Sequence, residues 1–271
     1  MKFTPRLPRE NVNVSSTHPL AELLWLTGGL VLIALSGYLL LGLLVDWAAE
    51  SVPVRAENWL GAKAAEQFPA QPSPALQHRL DLLLDRLPVA SPLHDYSFRV
   101  SLQETPEVNA FALPGGRIVV FSGLLEQVES ENELAMVLAH ELGHYAHRDH
   151  LRRLGRGFGV TVAAMLLLGK DSFITDFVSQ TFLTFEAGYS RTQETAADDY
   201  GLKLLVARYG HAGGAVDLFR RMTDRSQAGI AALFASHPHP DDRIAALERV
   251  ILNNGYPVEE PETLEDENWE E

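Results

Sequence analysis

The chain has 271 residues, a net charge of −14 and no cysteine. That length can bury a sizeable core, one domain of ~200 residues plus appendages. The missing cysteines exclude disulfides, thiolate-bound zinc and a cysteine nucleophile, and leave the redox compartment open. With no basic patch, a nucleic-acid partner is not expected.

Residues 1–22 are polar, carry Lys2, Arg6 and Arg9, and read as a cytoplasmic tail. Leu23 to Val45 is uncharged and dense in leucine, long enough to cross a bilayer, where ~20 residues are needed. A signal peptide has a shorter apolar region of ~7–15 residues, and its best cleavage site here, Ala49-Glu50-Ser51, is weak. The reading is therefore an uncleaved anchor. Close beyond the span only Arg55 is basic, alongside Asp46, Glu50 and Glu57. The positive-inside rule then puts the N-terminus in the cytoplasm and the rest outside it. Trp25 and Trp47 suit the two interfaces.

Residues 46–74 read as a juxtamembrane segment that ends in a proline-rich linker, Glu66 to Pro74. Ser73-Pro74 opens a helix to about Leu87. Ser97 to Leu102 alternates like a strand, with Phe98, Val100 and Leu102 on one face. Asn109 to Leu113 and Arg117 to Phe121 flank Pro114-Gly115-Gly116, a hairpin signal. Arg117 to Phe121 is either a sheet edge that pairs with extended peptide or an ordinary internal strand. From Gly123 onward the pattern is almost wholly helical. Two apolar runs, Phe158 to Gly169 and Phe173 to Phe185, are each too short to span a bilayer. They fit a pair of buried or amphipathic helices, or a flap lying on a membrane surface. Residues 255–271 read as a disordered acidic tail, with eight acidic residues and no basic one in 259–271. A small sheet followed by many helices is an α+β arrangement, with the domain expected over 75–254.

The most chemical stretch is His140-Glu141-Leu142-Gly143-His144, behind a capping-box signature at Ser130 and Glu133. Two histidines four apart share one helix face and can bind one metal ion. Glu141 stands beside that ion, placed to take a proton from water. A third ligand has two sources. His150 lies ten residues after His140, as in the metzincin pattern, but His147 stands where that pattern has its glycine. Glu194 and Asp198 share a later helix face. Glu194 can ligate, while Asp198 holds a ligating histidine by its other nitrogen. Ala197 beside them lets two helices approach closely.

These motifs together resemble the zinc metalloendopeptidases of the CAAX prenyl protease and HtpX type. The matching segments are Asn109 to Gly116, His140 to His144, Ser190-Arg191 with Glu194, Ala197 and Asp198, and Ser236-His237-Pro238 with Arg243. They cover residues 75 to 250. A single anchor fits the smaller bacterial-type members rather than the multi-span prenyl protease. The resemblance implies a mostly helical gluzincin domain with a small sheet above the zinc cleft. It implies one Zn²⁺ per chain held by His140, His144 and Glu194, Glu141 as general base, and Asp198 in support. It also places His237 near the metal, where it either donates to the oxyanion or blocks the open position in a latent state. Arg243 is the other candidate oxyanion partner. His147 and His150 suit the helix end, and His239 is incidental. The expected function is a membrane-anchored endopeptidase acting outside the cytoplasm in protein quality control, on unfolded or misassembled proteins. The alternative is a chaperone-like or scaffolding protein whose proteolysis is latent.

Overall fold

The uncharged leucine-rich stretch forms one long helix, α1 (Pro19–Ser51), in the computed structural model. The structure describes residues 18–66, 68, 70–168, 188–224, 231–265 and 269. Among them α1 is the one helix long and apolar enough to cross a membrane. It extends past both ends of the expected span. The chain divides into two compact units, Met1–Leu44 and Val45–Glu271.

In the second unit, α2 (Val54–Ala65) precedes a two-residue strand, β1 (Gln71–Pro72). The proline-rich linker thus adds an edge to the sheet. Ser73 caps α3 (Pro74–Leu84) by accepting from Leu76 N, and Pro74 fits the first turn because no N–H is needed there. A short 3₁₀ turn, Pro92–Asp95, leads to β2 (Arg99–Gln103), β3 (Ala110–Leu113) and β4 (Arg117–Phe121). The sheet order is β1-β2-β4-β3. β4 pairs parallel with β2, Val100 opposite Ile118, and antiparallel with β3, Phe111 opposite Val119. Arg117 to Phe121 is therefore internal, and the edge reading of that strand is corrected. Its run Ile118-Val119-Val120-Phe121 is buried throughout, as befits a strand covered on both faces. The outer strands are β1 and β3.

The rest is helical: α4 (Ser122–Leu125), α5 (Glu131–Ala146), α6 (Asp149–Leu168), α7 (Arg191–Tyr209), α8 (Asp217–Asp224), α9 (Ala231–Ser236) and α10 (Pro240–Asn254). Ser130 caps α5 by accepting from Glu133 N at 3.2 Å. The capping box is not closed there, because the Glu133 carboxylate turns to Glu129 N and to Arg221. A complete box stands instead at the start of α7, between Ser190 and Gln193. The first apolar run lies in α6 and leaves Phe158 and Leu166 exposed; the second, Phe173 to Phe185, lies outside the described residues.

One apolar core joins Leu76 and Leu80 of α3, Val100 and Ile118 of the sheet, Leu134, Leu138 and Leu142 of α5, and Leu202 and Leu205 of α7. The other sheet face carries Phe111, Leu113, Val119 and Phe121 against Ala64 and Phe68. Residues 255–265 are not a free tail. Ala212 N donates to Pro257 O at 2.7 Å, Glu131 N to Glu262 O at 3.0 Å, and Glu262 N to Asn132 Oδ1 at 2.9 Å. Arg79 lies 4.9 Å from the Trp269 ring. Acidic composition spoke for the side chains, which stay in water, while the backbone and Trp269 found partners.

Candidate metal centre

Helices α5 and α7 meet at small residues. A Cβ on Gly143 would fall 2.7 Å from Ala197 O and 2.8 Å from its Cα. That close approach sets His140 and His144 against Glu194. The His140 and His144 Nε2 atoms are 3.1 Å apart. Glu194 reaches both with its two carboxylate oxygens, Oε2 3.6 Å from His140 Nε2 and Oε1 3.6 Å from His144 Nε2. From the start of α10's approach, His237 adds Nδ1 at 3.2 Å from His140 Nε2 and 3.2 Å from Glu194 Oε1. All four side chains are buried, and their donor atoms lie within 4.8 Å of one another.

This donor set fits a metal ion. His140 Nδ1 is 2.9 Å from Asp198 Oδ1, and His144 Nδ1 is 3.0 Å from Asp149 Oδ2. Each carboxylate can accept a hydrogen bond from Nδ1–H, which in the neutral imidazole leaves Nε2 free to ligate. Imidazole nitrogens and a carboxylate that converge while buried make a site a cation would complete. Imidazole and carboxylate donors together suit zinc.

The surroundings set the charges. Burial lowers the His140 pKa, and Arg243 lowers it further. Burial also opposes charge on His144, but hydrogen bonds to Asp149 and Glu194 prevail and hold its pKa up at about 9. Burial raises the Glu194 carboxyl, yet His237, His144 and Arg243 outweigh it and leave it well below the usual range. Asp198 behaves alike: Arg243 overcomes burial and brings its pKa down to about 2.

Arg243 stands behind the ligands rather than over an open position. It donates to Asp198 Oδ2 from Nε at 2.8 Å and to Oδ1 from Nη2 at 2.6 Å. Its Nη1 lies 2.8 Å from Glu194 Oε2. A buried guanidinium so engaged ties Asp198 to Glu194 across the back of the cluster. Glu141 is 1% exposed, its Oε2 has no hydrogen-bond partner among the described residues, and Oε1 lies 3.6 Å from His237 Nε2. A cavity of about 20 Å³ opens between Ala110, His140, Glu141 and His237. Ser236 Oγ donates to Asn109 Oδ1 at 3.2 Å, tying the loop before His237 to the start of the β3 hairpin.

His150 is not brought to the cluster; its Nε2 is 3.1 Å from Glu57 Oε2. His147 stands at the end of α5, with Nδ1 2.8 Å from Gly143 O, as a helix-end histidine should. His239 precedes α10 in left-handed backbone, φ 64. Three residues of the site escape sequence reasoning. Asp149 holds His144, Gln193 Nε2 donates to Asp149 Oδ1 at 2.8 Å, and the Tyr189 ring stacks on His144 with centroids 3.8 Å apart. Asp149 follows a turn through left-handed Arg148, φ 55, which no helical periodicity reveals.

An H-E-x-x-H helix packed on a helix bearing a glutamate and an aspartate four apart, beside a small mixed sheet, defines a gluzincin-type domain. The chain belongs to peptidase family M48, whose model matches residues 71–251. It is similar to the mitochondrial metalloendopeptidase OMA1 of Schizosaccharomyces pombe, 33% identical over 171 residues, covering 61% of this chain and 50% of that protein. It is also similar to metalloprotease YcaL of Escherichia coli, 32% identical over 155 residues, covering 52% and 60%. Protease HtpX of Nitrosococcus oceani is 31% identical over 198 residues, covering 55% and 63%. The matches thus span about half to three-fifths of those relatives' lengths, and the kinship with the HtpX type expected from the motifs holds.

Proposed function

We propose that the chain is a membrane-anchored zinc metalloendopeptidase. The observation that carries this reading is the buried convergence of His140, His144 and Glu194 beside the unpartnered carboxylate oxygen of Glu141. Bound zinc would supply Lewis acidity and bring the pKa of a water towards ~7. Glu141 takes the proton of the attacking water and hands it to the leaving amine. Asp198 and Asp149 keep the two imidazoles in the ligating tautomer, and Arg243 locks Asp198 and Glu194 in place. His237 donates to the developing oxyanion from one position of its loop. From the position seen here it joins the donors and holds the site latent. That second posture is what favours the alternative, a chaperone-like protein with silent proteolysis.

Substrate pairs as an added strand along the β3 edge, whose Ala110 lines the cavity at Glu141. Backbone pairing reads little sequence, which suits unfolded or misassembled proteins and a role in quality control. The basic residues before α1 favour a catalytic unit outside the cytoplasm. The test is casein cleavage by the full-length protein in detergent. Zinc-loaded protein should cleave, and o-phenanthroline should abolish the activity. Glu141→Gln should lower kcat by about 10²–10⁴-fold with zinc retained. Cleavage indifferent to both treatments would sink the mechanism.

A further inference from the structure

Among the described carboxylates outside the metal cluster, Glu57 on α2 has no exposed surface at all. Its Oε1 accepts from Tyr96 OH at 2.8 Å and lies 3.4 Å from Arg148 Nη1; its Oε2 lies 3.1 Å from His150 Nε2. A fully buried carboxylate is costly unless paired and hydrogen-bonded. Two of its three partners belong to one turn, Arg148-Asp149-His150, which follows the H-E-x-x-H helix. Arg148 takes left-handed backbone there, uncommon for a residue with a Cβ, so the turn depends on outside support. Arg148 Nη1 also donates to Ala49 O and Val52 O at 2.8 Å each, where α1 ends. The middle residue of the turn, Asp149, is the partner of the metal-site histidine His144.

The same helix grips the sheet. A Cβ on Gly61 would fall 1.8 Å from Pro114 O, so the α2 backbone lies directly on the tip of the β3–β4 hairpin. The hairpin is tied in turn to α5, where Arg117 N donates to Tyr145 OH at 2.7 Å. Turn, α2, hairpin and α5 thus form a closed ring of contacts, joined to the metal cluster through Asp149 and His144.

We infer that Glu57 is a positioning residue of the metal centre and α2 a strut of the catalytic unit. Glu57 fixes the Arg148–His150 turn, so that Asp149 holds His144 Nδ1 and turns its Nε2 towards the other donors. The inference rests on the metal reading above. It follows that a fragment beginning after α2 keeps every metal ligand and still has a loosened site.

The test is zinc affinity, measured on full-length protein in detergent against a competing chromogenic chelator. Losing the second partner of a ligating histidine costs about 10–100-fold in metal affinity, the loss expected for Asp149→Asn. Glu57→Gln should lose at least about 3-fold by the same route. The double variant should bind no more weakly than Asp149→Asn, because both changes act on one contact. Amide exchange over 147–151 should quicken in Glu57→Gln. If Glu57→Gln binds zinc within twofold of wild type, or if the two losses multiply, the inference is overturned. Should Glu57→Gln fail to fold, Tyr96→Phe removes one donor to the same carboxylate and is judged by the same criterion. A wild type that binds no zinc would overturn the metal reading itself, and this inference with it.

Discussion

Helices α1 and α5 are both dense in leucine and alanine and use them in opposite ways. In α1, Leu24, Leu32 and Leu39 are 71%, 65% and 65% exposed; in α5, Leu134, Leu138 and Leu142 are at 0%. Each fully buried leucine gains roughly 1.5–3 kcal/mol over an exposed one. A helix that leaves so many leucines bare fits an apolar medium such as a bilayer, for which α1 is long and apolar enough. Helix α5 finds its apolar medium inside the protein. There the medium does more than stabilise, because charges placed in it act strongly on one another. His140, Glu141 and His144 are interleaved with the buried leucines, on a helix that meets the Glu194 helix closely at Gly143 and at Gly201. Composition alone does not separate the two helices; the polar groups set among the leucines do.

The largest effect that would sharpen this contrast is expected at Glu194. Glu194→Ala removes the proposed third ligand and leaves Arg243 with Asp198 alone in a buried site. Breaking a buried pair from one side destabilises by about 3–5 kcal/mol. Metal analysis should show zinc lost, and thermal unfolding a lower midpoint. A variant that keeps stoichiometric zinc would remove Glu194 from the ligand set. A matched pair comes next. Leu138→Ala in α5 should cost about 2–5 kcal/mol in chemical unfolding. Leu35→Ala in α1 should change the same transition by no more than about 0.5 kcal/mol. Equal losses would mean that α1 is a core helix, and the contrast would fail.

Much of this was legible in the sequence, because local rules governed it. The α5 helix, the hairpin around Pro114-Gly115-Gly116, and the shared face of Glu194 and Asp198 follow from periodicity, turn chemistry and spacing. The clustering of His140, His144, Glu194 and His237 followed from the resemblance, and the structure brings those residues together. What escaped depends on partners far along the chain. The order of the sheet is set by β2 pairing parallel with β4, which strand patterns do not encode. The contacts of Arg243 with Asp198 and Glu194, 45 and 49 residues earlier in the chain, have no signal in local pattern. Asp149 lies beyond a left-handed turn, Glu57 sits more than ninety residues from His150, and the acidic tail docks through its backbone rather than its charges.

The smallest effect concerns the field inside the α5–α7 site. Burial alone would raise the Asp198 pKa, but the Arg243 ion pair brings it from 3.8 down to about 2. A carboxyl with a lowered folded-state pKa stabilises the fold above its unfolded value, and that contribution drains away as pH falls through the folded value. The window is therefore about pH 4 down to pH 2, and the shift corresponds to on the order of 2 kcal/mol. Chemical unfolding of chelator-treated protein, repeated from pH 5 downward, should show wild type losing that much more stability than Asp198→Asn, whose amide does not titrate. Parallel curves would mean that Arg243 does not hold Asp198 as an ion pair. The interior around α5 would then act on its charges no more strongly than water acts on those at the surface.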